Sequence, residues 1–247
     1  MTGSVIITGG SRGIGAAAAQ LLADQGWSVC INYRHRPDAA SALVEDIRAR
    51  GGTAIAVAGN VSSESDVHGL FDSAEQAFGG VSALVNNAGI LAPASRFADM
   101  DLDRWNATIS VNLTGVFLCA REAVRRMARS GGGGGGAIVN VSSMAAVLGA
   151  SHEFIDYAAA KGAVDTLTIG LAKEVAFDGI RVNGVRPGLI ETEIHAASGA
   201  DRIAKLVSSV PIQRAGSPDE VASVIAWLLS DAASYCCGTI VNVSGGR

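Results

Sequence analysis

Ser4-Val-Ile-Ile-Thr8, then Gly9-Gly10-Ser11-Arg12-Gly13-Ile14-Gly15, then an alanine-rich run to about Gln25: the chain opens as a strand, a glycine turn and a helix. This context turns a glycine pattern into a nucleotide-site expectation. Glycine permits the sharp turn and lets backbone N–H groups approach a pyrophosphate. The helix N-terminus adds a dipole that favours anions. Gly13-x-Gly15-x-x-Ala18 also fits the looser G-x-G-x-x-A form, but the spacing from Thr8-Gly9 to Gly13 and Gly15 is more specific.

The alternation continues outward. Strands are expected at Ser28 to Tyr33, Thr53 to Ala58, Ala83 to Val85, Ala137 to Val141, Gly179 to Val185 and Thr239 to Val243. Between them lie helical patterns at about Asp38 to Arg50, Glu64 to Phe78, Asp101 to Met127, around Tyr157, and at Pro218 to Ser230 with Ser217 as cap. Such alternation predicts an α/β fold, a parallel sheet covered on both faces. No repeat and no linker divides the chain, so residues 1–247 read as one domain. The six glycines from Gly131 to Gly136 read as a flexible surface connection that ends a helix. Leu189 to about Val210 has weak periodicity and reads as a lid over a substrate pocket.

Composition bounds the function. The chain has 247 residues, 49% of them hydrophobic, and a formal net charge of −4. That length supports a large core. The charge offers no basic surface for nucleic acid. No apolar run reaches a membrane span, and Met1 leads almost directly into a strand, so neither a membrane partner nor a signal peptide is expected. Cys30, Cys119, Cys236 and Cys237 show no zinc spacing and read as reduced residues of a cytoplasmic protein. No metal site is expected.

Tyr157-Ala-Ala-Ala-Lys161 carries the chemistry. On a helix, residues four apart share a face. A free tyrosine titrates near 10, and bringing it near 7 takes about 4 kcal/mol. A cation about 4 Å away at an effective dielectric near 20 supplies roughly that much. The pair is therefore a candidate tuned proton donor and acceptor. Ser142-Ser143 ends the strand before it, and one loop, Met144 to Asp156, joins the two. Asn86-Asn87-Ala88-Gly89 ends another strand and is suited to shaping a rim by side-chain hydrogen bonds. Asn112 lies in line with the apolar stripe of its helix and needs a partner. It either bonds backbone or holds a water beside the site. Ligands of a parallel α/β sheet bind outside the carboxyl ends of the strands, where the serine pair, the Tyr157–Lys161 pair, the glycine loop and the Asn86–Asn87 pair fall.

The end of the second strand points to the cofactor. An acid there would bond the ribose 2′-hydroxyl of NAD. This chain has Asn32-Tyr33-Arg34-His35-Arg36 instead. A guanidinium forks onto a 2′-phosphate, and Arg12 is a second candidate for it. NADP(H) is therefore expected over NAD(H). Gly59-Asn60-Val61 sits where an adenine edge is read, with the Asn60 carbonyl as acceptor.

Over almost its whole length the chain resembles the short-chain dehydrogenase/reductases. The motifs are Thr8-Gly-Gly-Ser-Arg-Gly-Ile-Gly15, Asn86-Asn-Ala-Gly89, Asn112, Ser143, Tyr157-x-x-x-Lys161 and Pro187-Gly188 followed by Thr192. The resemblance implies a doubly wound Rossmann fold with a sheet of seven strands, and NAD(P)-dependent interconversion of secondary alcohols and carbonyls. It makes Tyr157 the general acid/base, with Lys161 lowering its pKa and binding the nicotinamide ribose. Ser143 bonds the carbonyl oxygen, Asn112 supports a proton-relay water, and Thr192 contacts the nicotinamide amide. Gly9, Ser11, Arg12, Gly13, Ile14, Gly15, Tyr33, Arg34, Asn60, Val61, Asn87, Ala88, Gly89, Pro187, Gly188 and Ile190 complete the implied cofactor set. The subgroup it is most similar to comprises bacterial sugar (glucose) dehydrogenase-like and 3-oxoacyl-carrier-protein reductase-like enzymes. A ketone reductase is the leading expectation, a sugar or polyol dehydrogenase the alternative, and a non-catalytic dinucleotide-binding protein the third. The resemblance also implies a homotetramer. Two departures stand out: Asn60 replaces the usual Asp, and the Ser143–Tyr157 loop is one residue longer than in many relatives. His152, Glu153 and His195 are polar candidates in pocket-forming segments.

Overall fold

The apolar runs pair as a single parallel sheet. A computed structural model describes residues 3–193 and 206–247. Strands β1 (Ser4–Ile7), β2 (Ser28–Tyr33), β3 (Thr53–Ala58), β4 (Ala83–Asn86), β5 (Gly136–Val141), β6 (Ile180–Pro187) and β7 (Ile240–Val243) form it in the order β3-β2-β1-β4-β5-β6-β7. Every pairing is parallel. Helices α1 (Gly13–Asp24), α2 (Pro37–Ala49), α3 (Glu64–Phe78), α4 (Leu102–Ile109), α5 (Gly115–Met127), the short α6 (Ala145–Leu148), α7 (Ile155–Val175) and α8 (Pro218–Leu229) surround it.

Period-two alternation sorts the strand residues between two cores. Val5, Ile7, Val29, Ile31, Val85 and Val139 face α1 and α8. Ile6, Cys30, Leu84 and Ile138 face α3, α5 and α7. Strands buried on both sides explain why the runs are nearly continuous in apolar residues, with Asn32, Asn86, Asn140 and Asn183 among the buried polar exceptions. Ser217 caps α8 through a full capping box with Glu220, with Pro218 in its first turn.

The segment Asp101 to Met127 is mostly helix, as expected, with one irregularity. Ser110–Thr114 forms a π turn between α4 and α5, closed by Gly115 N–H donating to the Ser110 carbonyl. Asn112 lies at its centre, and such wide turns recur at functional positions. One expectation needs correction: the glycine run is an exposed connection at Gly131, Gly132 and Gly134, but it is not slack throughout. A Cβ on Gly133 would lie 2.4 Å from Met127 backbone, and one on Gly136 2.2 Å from the Ser82 carbonyl oxygen. These glycines let the chain press between α5 and the sheet. The expected lid at 189–210 lies in large part outside the described residues, as does His195. No described helix is long and apolar enough to cross a membrane.

Candidate active site

Strand order reverses between β1 and β4, opening a crevice at their carboxyl ends. The loops that follow the two strands brace each other across it. Asn87 donates from Nδ2 to the carbonyls of Thr8 (2.9 Å) and Gly9 (3.0 Å). Thr8 Oγ1 accepts from the N–H groups of Asn87 and Ala88, both at 3.0 Å. Gly15 sits behind the glycine loop: a Cβ there would lie 2.5 Å from Asn87 Nδ2 and 2.7 Å from the Gly9 carbonyl oxygen. Arg12 precedes α1 without a side-chain cap bond, and no acid occupies the first turn. Helices α3, α4 and α8 are capped by Ser63, Asp101 and Ser217. The first N–H groups of α1 are thus left for an anionic ligand.

The cleft in front of this loop has a volume of about 240 Å³. Gly9, Ser11, Arg12, Gly13 and Ile14 form one wall; Tyr33 and Arg34 from the end of β2, with Asn60 and Val61 after β3, form another. Asn87, Ala88, Gly89, Tyr157, Lys161 and Thr192 close it. Ser143, Pro187, Gly188 and Ile190 border a second cavity of about 170 Å³ instead. Ile14, Tyr157 and Thr192 border both. Gly15 and Asn112 line neither and act from behind the walls.

Several wall residues escape a motif reading. Asn32 joins two loops by accepting from Gly9 N–H (3.4 Å) and donating to the Gly59 carbonyl (3.0 Å). His35, Arg36, Ile90, Val111 and Glu193 also border the cleft. The Glu193 carboxylate lies 2.9 Å from Arg12 Nη1 and 3.8 Å from Arg36 Nη1, spanning the expected phosphate corner. The Asn32 side chain was readable as a polar group in a buried strand; Glu193 carried no local signal.

Asn60 borders the cleft, but not with the group expected. Its Oδ1 already accepts from the Ser62 hydroxyl (2.8 Å) and Ser62 N–H (3.2 Å), an Asx-type turn. Its amide hydrogens, rather than its carbonyl, remain for a ligand. The nearby carboxylate is Asp66, which accepts Asn60 N–H at 2.9 Å; that bond and the Ser63 hydroxyl hold its pKa below the ordinary value.

Tyr157 and Lys161 do share one face of α7, but the structure corrects the expected pKa. Burial pushes the Tyr157 phenol up to about 12, with the Ser143 hydroxyl's hydrogen bond pulling only weakly the other way. Burial lowers Lys161 to about 8 against the opposing pull of Asp165. The Lys161 ammonium donates to the Val141 carbonyl at 2.7 Å and stands 5.6 Å from the centroid of the Tyr157 ring. Desolvation therefore outweighs the cation. At neutral pH the site presents a protonated phenol.

The serine pair divides its labour. Ser142 is buried and donates to the Lys161 carbonyl at 3.2 Å. Ser143 reaches Tyr157 and accepts Ala145 N–H at 3.1 Å. Asn112 is fully buried and bonds backbone throughout. It donates to the carbonyls of Ile90 (3.0 Å) and Thr108 (2.9 Å) and accepts Ile90 N–H at 3.1 Å. A buried ion pair anchors the start of α7. Arg104 donates to Asp156 (Nε to Oδ2, 2.8 Å) and to the Glu153 carbonyl (3.3 Å). Burial opposes ionisation of Asp156, but bonds from Arg104, Tyr157 N–H and Thr108 prevail and hold its pKa below the ordinary value. The loop before it contains Ala150 and His152 at φ +45° and +63°, a left-handed path that non-glycine residues adopt at a cost of about 1–3 kcal/mol each.

Comparison with known proteins agrees with this geometry. The family described as Enoyl-(Acyl carrier protein) reductase matches residues 9–247. The chain is 49% identical to the uncharacterized oxidoreductase YgfF of Escherichia coli, covering 98% of each. It is 40% identical to a 3-oxoacyl-[acyl-carrier-protein] reductase of Synechocystis, over 98% of this chain and 95% of the relative. A crystal structure of a short-chain type dehydrogenase/reductase from Mycobacterium marinum superposes with a TM-score of 0.93 at 34% identity, covering 99% of this chain and 94% of that one. With this fold, a phenol at the meeting of two cavities and relatives over nearly its full length, the chain belongs to the short-chain dehydrogenase/reductase family and is an oxidoreductase acting on CH–OH and C=O groups.

Proposed function

We propose that this protein is an NADP(H)-dependent reductase of ketones, with Tyr157 as its proton donor. The observation that carries the reading is that Tyr157 borders both the cleft at the glycine loop and the smaller cavity beside Ser143. A residue at that junction reaches cofactor and substrate together.

The residues fit a dinucleotide. The uncapped start of α1 and the loop Gly9–Ile14 hold the pyrophosphate. Arg34 and Arg12 would receive the 2′-phosphate; no acid stands at the end of β2, and Glu193, paired with Arg12, is the carboxylate that would compete for it. Asn60 and Val61 would hold the adenine end, Lys161 the nicotinamide ribose, and Thr192, with Pro187, Gly188 and Ile190, the nicotinamide. Once bound, the nicotinamide supplies the hydride. Ser143 and Tyr157 hold the substrate carbonyl oxygen. Tyr157, protonated at neutral pH, gives its proton to that oxygen. Asn112 braces the loop at Ile90 and the π turn beside Lys161, where a relay water returns the proton.

The cavity walls favour a ketone over a polyol. Leu91, Met144, Leu148, Phe154, Leu189 and Leu206 are apolar. A sugar would need more hydrogen-bonding groups than they offer. The assembly we assign is a homotetramer: Phe117, Ala120, Val124, Leu167 and Leu171 line an apolar groove between α5 and α7. Light scattering tests it, and a stable monomer would count against it. Free Cys30 and Cys119, buried and pushed up to about 12 by that burial, suit the reducing cytoplasm.

Fluorescence titration of NADPH and NADH against wild type and Tyr157→Phe, with turnover of a ketone panel, tests the reading. Tight NADPH binding by both, with turnover lost only in the variant, is expected. Preferential NADH binding overturns the phosphate assignment. Binding without wild-type turnover favours a non-catalytic protein.

A further inference from the structure

The smaller cavity contains a cation that the mechanism does not use. It is Arg247, brought there from the far end of the sequence by a turn. Gly188 N–H donates to the Val243 carbonyl at 2.9 Å, and Ile212 N–H donates to that of Gly245 at 3.2 Å, so the segment after β7 is fastened beside the Pro187 loop. Gly245 and Gly246 then take φ values of +64° and +90°. Two consecutive positive values reverse the chain tightly. Arg247 N–H closes the turn on the Ser244 carbonyl at 3.3 Å, while Ser244 Oγ donates to the Arg247 carbonyl at 2.9 Å. The reversal leaves Arg247 on the wall shared by Ser143 and Tyr157.

No side-chain hydrogen bond holds the Arg247 guanidinium among the described residues; only its backbone N–H and carbonyl are bonded. Among the described residues the Arg247 guanidinium has no carboxylate partner, although nine other arginines, among them Arg104 and Arg214, have one. Glu153, on the same wall, has an interaction of its own. Four leucines, Met144 and Phe154 give the remaining wall its apolar part, beside the hydroxyls of Ser143, Tyr157 and Thr192. A guanidinium in a half-enclosed apolar cavity is costly unless a counter-charge meets it. A planar fork meets a carboxylate by two parallel bonds. As the sole cation on the described walls it matches a monoanion rather than a phosphate.

We propose that Arg247 anchors the substrate, and that the substrate is an oxo acid whose carboxylate binds Arg247 while its ketone lies against Ser143 and Tyr157. This rests on the reductase reading above and adds the substrate class to it.

The test compares 4-oxocyclohexanecarboxylate with its methyl ester, in NADPH turnover by wild type, Arg247→Gln and Arg247→Lys. Wild type should prefer the acid by about tenfold or more in kcat/KM. Arg247→Gln should lose about 10- to 100-fold on the acid, carried by KM, since bonds to a charged group contribute about 1.5–3 kcal/mol. Its kcat/KM for the ester and its NADPH affinity should not move, and Arg247→Lys should recover part of the loss. An unchanged acid-to-ester ratio in Arg247→Gln, or an equal loss on both compounds, overturns the proposal. Wild type that reduces the ester and other neutral ketones without preferring the acid overturns it too, and leaves the reductase reading standing. Wild type that reduces no ketone overturns both.

Discussion

The two cavities meet at Tyr157, yet they are built from different materials. The cleft at the glycine loop is made of strand ends: the segments after β1, β2, β3 and β4 supply most of its wall. In the proposed reading its grip is largely backbone, with glycines giving access and the start of α1 giving charge. The smaller cavity is made of side chains from the turn after β5, the Gly149–Phe154 loop, the Pro187 loop and Arg247. One part of the site is therefore dictated by the fold, and the other is free to vary on it. Substitutions should divide along the same line: those on the first side act on cofactor affinity, those on the second on substrate choice, and Tyr157 on both sides at once.

Tyr157→Phe is the largest break. Loss of a positioned proton donor should cost about 10²- to 10⁴-fold in turnover, with NADPH binding within error of wild type. Retained turnover would remove Tyr157 from the chemistry. The pH profile sharpens this. In the proposed mechanism reduction uses the protonated phenol, so with Tyr157 pushed up to about 12 its rate should stay flat up to the range near 8 where Lys161 loses its charge. Alcohol oxidation needs the phenolate and should climb with pH, about tenfold per unit well below that pKa. If both profiles instead turn near neutrality, the bound dinucleotide has changed the balance between burial and the Lys161 charge.

Gly15→Ala should come next, and only on the cofactor side. Its Cβ would press on Asn87 Nδ2 and the Gly9 carbonyl. Overpacking of this kind costs about 1–3 kcal/mol. The expected result is a lower melting temperature together with weaker binding of NADPH and NADH alike. A variant with wild-type affinity for both would show that the brace between the two loops is dispensable.

What could be read from sequence follows the range of the contacts. The β1–glycine turn–α1 unit, the Asn pair and the Tyr157–Lys161 face are local patterns whose period or spacing states their geometry. Ser143 was separable from Ser142 only by resemblance, and the structure gives the reason: one is enclosed against Lys161 backbone, the other borders the cavity. The Arg104–Asp156 anchor joins residues 52 positions apart, and no spacing rule announces it. The π turn at Asn112 hides inside an ordinary helical pattern. The six glycines read as slack because composition cannot show that Met127, Gly179 and Ser82 crowd three of them, Gly133, Gly135 and Gly136. The tyrosine's pKa went astray for a related reason: helical spacing gives the distance to a cation, but enclosure is a property of the whole fold.

Arg34→Ala returns to the cofactor side with a smaller effect. NADPH binding should weaken by about tenfold or more, and NADH binding should barely change, because the 2′-phosphate is the only difference between them. Equal loss for both would place Arg34 against another part of the dinucleotide.

The smallest effect tests whether the cofactor side is as local as it looks. Glu193 reaches Arg12 from 181 positions away and also approaches Arg36. Its carboxylate stands where a 2′-phosphate would need the same guanidinium. Exposed pairs of this kind contribute about 0.2–1 kcal/mol, so Glu193→Gln should tighten NADPH binding by no more than about fivefold. NADH affinity should stay put, and the gain should shrink as salt screens the corner. Weaker NADPH binding in the variant would mean that Glu193 helps to hold the cofactor. Weaker NADH binding alone would be more consequential. It would make Glu193 the acid that bonds the ribose 2′-hydroxyl, supplied from a distant loop instead of the end of β2, and the preference inferred from Arg34 would have to be reversed.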